Sequence, residues 1–158
     1  QLNSKYIADR CQDMPGFRPA KIRPGNVSVH YMQAFLYDSK VVGVKREKFV
    51  EALCAELPGT KGQEEEGTLI SGGDVRPIYM LPVFQQQIAM GSKGFPFKSP
   101  FYKGKAKYKE GMCPNVVFLY KEELITHDNI RHGMKKKDLD DVIAAFHKVY
   151  EHRVELCS

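Results

Sequence analysis

No stretch of this chain stays apolar for the roughly 20 residues that a membrane-spanning helix needs. Nor does a basic segment followed by an apolar one open it as a secretory leader would, and the two absences together point to a soluble, cytoplasmic protein. The four cysteines stand at 11, 54, 113 and 157, too far apart for a CxxC metal pair. In a chain this long their even number is weak support for a disulfide framework, so reduced and mostly buried thiols are predicted. The five histidines do not converge either: His147 and His152 are five residues apart and do not share a helix face. No metal site is expected. Walker, GxSxG and HExxH patterns are missing, and GSKG at Gly91 to Gly94 is too short for a phosphate loop. No catalytic residue is assigned to the chain on its own.

One absence is local. Residues 92–109, SKGFPFKSPFYKGKAKYK, contain no acid but hold six lysines (Lys93, Lys98, Lys103, Lys105, Lys107, Lys109) and five aromatic rings. The net charge of the whole chain is +5, so the remainder is close to neutral and the charge is a local feature. Pro96 and Pro100 argue against a regular helix or strand. Phe95, Phe97, Phe101 and Tyr102 are predicted to pack the run down as a loop. Lysines that neutralise phosphates and rings that stack on bases are the ingredients of single-strand binding, but nucleic-acid binders usually spread basic residues over a larger surface. That disfavours nucleic acid as the partner and leaves a basic loop beside an anionic site, or a solvated loop.

At 158 residues and 42% hydrophobic, the chain has the size and composition of one globular domain, residues 1–158. It opens QLNSKYIADRCQDMPGF, with Leu2, Tyr6, Ile7 and Cys11 at helical spacing before Pro15 and Gly16. This reads as the end of a helix and suggests a piece of a longer protein. Val27 to Tyr37 reads as a buried strand with Val27, Val29, Tyr31 and Gln33 on one face. Lys45 to Leu57 reads as an amphipathic helix stopped by Pro58 and Gly59. Lys61 to Gly67 is a polar turn, and Thr68 to Ile70 a short strand leading to Gly72 and Gly73. There a tight turn or a close backbone approach to a ligand is expected. Asn115 to Thr126 reads as a short helix, ITHDNIRHG as a loop or edge strand, and Leu139 to Tyr150 as a long amphipathic helix capped by Asp138. The interleaving predicts a small α/β or α+β fold, helices packed on a sheet of few strands.

The order MPGF, VSVHYMQAFLY, KREKFVEAL, SGGDVRPIYMLPVFQ, then a CP-helix and KKDLDDVIAAFHKVYEH resembles the C-terminal domain of the DegT/DnrJ/StrS family of sugar aminotransferases. SGGDVRPIYMLPVF and GFPFKSPFYKGK resemble the branch acting on inosose and related keto-sugars. The resemblance covers Leu2 to about His152. It implies the small C-terminal domain of a fold-type I, pyridoxal-5'-phosphate-dependent homodimer of sugar and polysaccharide biosynthesis. Such an enzyme passes an amino group from glutamate or glutamine to a keto-sugar or nucleotide-sugar. The Schiff-base lysine and the acid that pairs with the pyridine nitrogen belong to the family's N-terminal domain or subunit, which this chain lacks, so the isolated chain is not expected to be active. The resemblance places Ser71 to Phe84 at the mouth of the active site. Gly72, Gly73, Arg76 and Tyr79 become candidates for the substrate pocket, with Lys93 joining them from the basic loop. The bland reading makes Gly72 and Gly73 a turn, Arg76 a surface ion pair, Tyr79 a core residue and His30 a satisfied histidine inside a strand. The competing function is a noncatalytic module that binds anions or nucleic acid through the Lys93 to Lys109 loop.

Overall fold

The computed structural model describes residues 2–59, 69–73 and 76–157. In chain order these form α1 (Leu2–Arg10), β1 (Phe17–Pro19), β2 (Gln33–Tyr37), α2 (Ser39–Val42), α3 (Arg46–Glu56), β3 (Ile70–Gly72), α4 (Pro82–Gln85), α5 (Pro114–Phe118), β4 (Leu124–His127) and α6 (Lys136–Glu151). The strands make one antiparallel sheet in the order β1-β2-β4-β3. With α1, α3 and α6 packed on it, the fold is a small α+β domain.

The alternation in β2 decides which face is covered. Gln33, Phe35 and Tyr37 are buried, and Phe35 pairs in register with Ile125 while Phe17 pairs with Tyr37. Side chains at paired positions share a face, so these rings meet the apolar stripes of the helices: Phe49, Val50 and Leu53 from α3 and Leu139, Val142, Ile143, Phe146 and Val149 from α6. Phe17 stands at the centre, its ring 4.8 Å from that of Phe35, 5.5 Å from Phe146 and 5.9 Å from Phe49. Burying each such side chain stabilises the fold by about 1.5–3 kcal/mol.

The two long helices follow their predicted periodicity, but several other expectations need correction. The strand predicted over Val27 to Tyr37 is only Gln33–Tyr37, because nothing covers the earlier residues: Val27, Val29 and Tyr31 are 73%, 83% and 93% exposed. His30 therefore precedes the strand instead of sitting within it. The predicted helix over Asn115 to Thr126 ends early. Pro114 occupies its first turn, where the missing N–H costs nothing, and α5 passes into a single π-helical turn, Leu119–Glu123. The chain then enters β4, which is neither loop nor edge but an interior strand between β2 and β3. The short strand falls on Ile70–Gly72, whereas Thr68 and the Lys61 to Gly67 turn lie outside the described residues. Asp138 is not the cap of α6. Lys135 holds that position, and Asp138, three residues on, accepts from the Lys135 backbone N–H at 2.7 Å. Of the thiols, Cys11 is fully buried, Cys54 and Cys113 are half-buried and Cys157 is exposed; all four are free. Burial foremost, with the charge of Asp13, pushes the Cys11 thiol up to about 12, so it stays protonated and inert.

His127, at the end of β4, shares the covered face with Gln33, its register partner. It is fully buried, its ring stacked on Phe35 at 5.6 Å and 5.7 Å from Phe146, and neither ring nitrogen has a hydrogen-bond partner among the described residues. Burial first, and the nearby charge of His30 second, lower its pKa to about 3. The imidazole is thus neutral and serves the core as an aromatic ring.

Candidate functional site

Construction of the site begins at Arg46, the first residue of α3, which is 5% exposed. The π-helical turn leaves carbonyls without intrahelical partners, as any helix C-terminus does, and a guanidinium supplies five donors in a planar fork. Arg46 Nη1 donates to the carbonyls of Tyr120 at 2.8 Å, Leu124 at 3.2 Å and Leu119 at 3.4 Å, and Nη2 donates to the carbonyl of Lys121 at 2.9 Å and to Glu47 Oε1 at 2.6 Å. A positive group at the negative end of a helix is also favoured by the helix dipole.

The two glycines exist because of this clasp. A Cβ on Gly72 would lie 2.8 Å from Arg46 Nε. Gly73 has φ +84°, in the left-handed region that favours glycine, and a Cβ there would stand 2.2 Å from the Tyr120 carbonyl oxygen. The close approach predicted at this pair is therefore real, but it is to the chain's own Arg46 and Tyr120, not to a ligand. Gly73 also donates from its N–H to the Leu124 carbonyl at 2.7 Å.

After Gly73 the described residues resume at Arg76. A 3-10 turn, Ile78–Met80, and α4 follow. Between this segment and α5 with its π turn lies a cleft of about 140 Å³, lined by Arg76, Pro77, Tyr79, Glu110, Tyr120 and Lys121 among others. A more open depression of about 460 Å³ shares Arg76, Pro77 and Tyr120 with it and reaches Gly73 and Leu124. Tyr79 is buried, yet its hydroxyl has no hydrogen-bond partner among the described residues; a buried phenol normally finds one. The exposed Arg76 makes no ion pair among the described residues, so the predicted surface pair is not seen, while Lys121 Nζ stands 3.2 Å from Glu110 Oε1. The residues around the cleft thus carry a guanidinium, an ammonium, one carboxylate and two phenols. That set suits a ligand carrying hydroxyls and an anionic group.

Of the candidates from sequence, Arg76 and Tyr79 line this cleft, and Gly73 lines the neighbouring depression. Gly72 lies in β3 against Arg46 and lines neither. Lys93 is exposed on the basic loop and also lines neither. The loop itself is held beside the cleft. Phe84 of α4, Phe97 and Tyr108 form a three-ring cluster with centroids 5.2 to 6.1 Å apart. Gln85 Nε2 donates to the carbonyls of Tyr79 at 2.6 Å and Tyr108 at 3.4 Å, and Gln87 Nε2 donates to that of Ala106 at 2.8 Å. The rings predicted to pack the loop down are mostly not those that do so: Phe95, Phe101 and Tyr102 are 46%, 92% and 47% exposed.

Tyr120, Lys121 and Glu110 escaped sequence reasoning, since nothing in their local pattern marks them. Arg46 escaped it because a charge on the first turn of an amphipathic helix looks like a solvated one. The one available signal was the glycine pair, which implied that something comes close. Among the described residues no group of three or more His, Cys, Asp or Glu side chains is placed to hold a metal ion, and no helix is long and apolar enough to cross a membrane. No protein-family model matches the chain, and no curated protein matches it.

Proposed function

We propose that this chain is the substrate-side, C-terminal part of a pyridoxal-phosphate-dependent aminotransferase acting on a keto-sugar or nucleotide-sugar, with glutamate or glutamine as amino donor. The observation that carries the reading is that Arg76 and Tyr79, whose buried hydroxyl has no hydrogen-bond partner among the described residues, line one cleft within the SGGDVRPIYMLPVF segment that resembles the sugar aminotransferases.

The cofactor does not fit this chain's own residues. No lysine here stands in the Schiff-base motif, and the six lysines of residues 92–109 are exposed. Pyridoxal phosphate and the reacting lysine are therefore assigned to an N-terminal domain or partner subunit, and no chemical step is routed through this chain. Its part is to bind and orient: the Arg76 guanidinium takes an anionic or hydroxyl oxygen of the sugar ligand, and the Tyr79 hydroxyl, already desolvated, gains a hydrogen bond only when that ligand arrives. Such a bond discriminates well, because an analogue lacking the matching group leaves the phenol unpaired.

The test is to recover the native species and measure its mass and its absorbance in the region of a pyridoxal Schiff base. A species larger than 18.0 kDa whose band disappears on borohydride reduction supports the reading, provided R76A and Y79F in that species raise KM for the keto-sugar. A lone 18.0 kDa species without the band refutes it.

A further inference from the structure

The second half of the basic loop has a geometry that its composition did not reveal. From 102 to 109 the chain forms no helix or strand, and from 105 its exposure alternates: Lys105, Lys107 and Lys109 are exposed, whereas Ala106 and Tyr108 are half-buried. The half-buried pair is the anchored one, with both backbone carbonyls held by Gln87 and Gln85 and the Tyr108 ring set against Phe84 and Phe97. Lys103 extends the same every-second-residue series. The alternation places Lys105, Lys107 and Lys109 on the exposed side of the anchored segment, where an extended backbone would set neighbours of the row about 6.6 Å apart. Among the described residues none of the four makes an ion pair. At the head of the row Phe101 is 92% exposed and Tyr102 47% exposed.

We propose that this row, with Phe101 and Tyr102 at its head, is a binding strip for single-stranded nucleic acid. The inference is independent of the aminotransferase reading, and it reverses the expectation from composition. Nucleic acid was disfavoured because binders usually spread basic residues over a larger surface; here a short row of lysines on an anchored backbone, with two exposed rings at its head, suits a short stretch of flexible phosphate chain with stackable bases. Four phosphate contacts are too few for high affinity, so the strip is weak and strongly salt-dependent.

Titrating a fluorescein-labelled oligothymidylate with the 158-residue chain and following anisotropy at several salt concentrations tests this. Four contacts give a slope of log K against log salt of about −2.8. The double variant K105Q/K107Q is expected to halve the slope to about −1.4, and F101A to weaken binding roughly five-fold or more with the slope unchanged. All three side chains are exposed, and circular dichroism checks that the fold persists. No binding, an unchanged slope in the double variant, or equal retention of poly-glutamate or phosphatidylserine vesicles would overturn the proposal.

Discussion

Lowering the pH is expected to unfold this domain through one residue, His127. Its folded pKa lies near 3 against an unfolded value of about 6.5, so the neutral imidazole favours the folded state. That contribution is complete above about pH 6.5 and is lost progressively as pH falls toward 3. Between pH 7 and pH 5 the difference in proton binding by the two states is worth about 2 kcal/mol, and over the whole window about 5 kcal/mol as an order of magnitude. For a domain whose total stability is of order 5–15 kcal/mol, such a loss is easily measured. Urea unfolding followed by circular dichroism at pH 7, 6 and 5, on the wild type and on His127→Phe, isolates the effect. Groups common to the two proteins cancel to first order in the difference. Phenylalanine keeps the ring between Phe35 and Phe146 and removes two unpartnered buried nitrogens. The variant should therefore equal or exceed the wild type at pH 7 and lead it by at least about 2 kcal/mol at pH 5. Parallel pH profiles for the two proteins would refute the reasoning.

Arg46→Met should cost about 3 kcal/mol or more in urea unfolding, because four carbonyls each lose a donor in one change, although Leu124 keeps the Gly73 N–H and Leu119 the Leu124 N–H, and Arg46→Lys should restore little of it, since an ammonium cannot reproduce the fork. Gly73→Ala meets both a left-handed φ and the Tyr120 carbonyl, whereas Gly111→Ala has φ +80° but open space; the latter should lose only about 1–2 kcal/mol in thermal or urea melts, the former clearly more. Tyr79→Phe removes a hydroxyl with no hydrogen-bond partner among the described residues, so unfolding stability should stay the same or rise while affinity for a hydroxylated ligand, followed by calorimetry, falls.

The elements legible in the sequence were those whose burial is one-sided and long. α3 and α6 repeat their apolar stripes over three turns or more, so period alone locates them. β4 contributes only Leu124–His127, too few residues for any period, and its interior place depends on β2 and β3 flanking it. The alternation through Val27, Val29 and Tyr31 looked like strand but reflects pattern without a covering layer. Arg76 and Tyr79 could be singled out because they sit in a distinctive segment. Lys121 and Glu110 could not, since they come to the cleft through the π turn and the end of the basic loop, which no local rule anticipates.

The Arg46 clasp joins two properties that are separate in many proteins. Tyr120 and Lys121 line the cleft while their carbonyls are gripped by the same guanidinium that anchors α3 to the sheet. Recognition on that wall therefore shares its foundation with folding. Any sequence drift that reshapes the Tyr120 side of the cleft also risks the domain itself, and new ligand preferences would most readily arise on the opposite wall, at Arg76 and Tyr79, where change leaves the clasp intact.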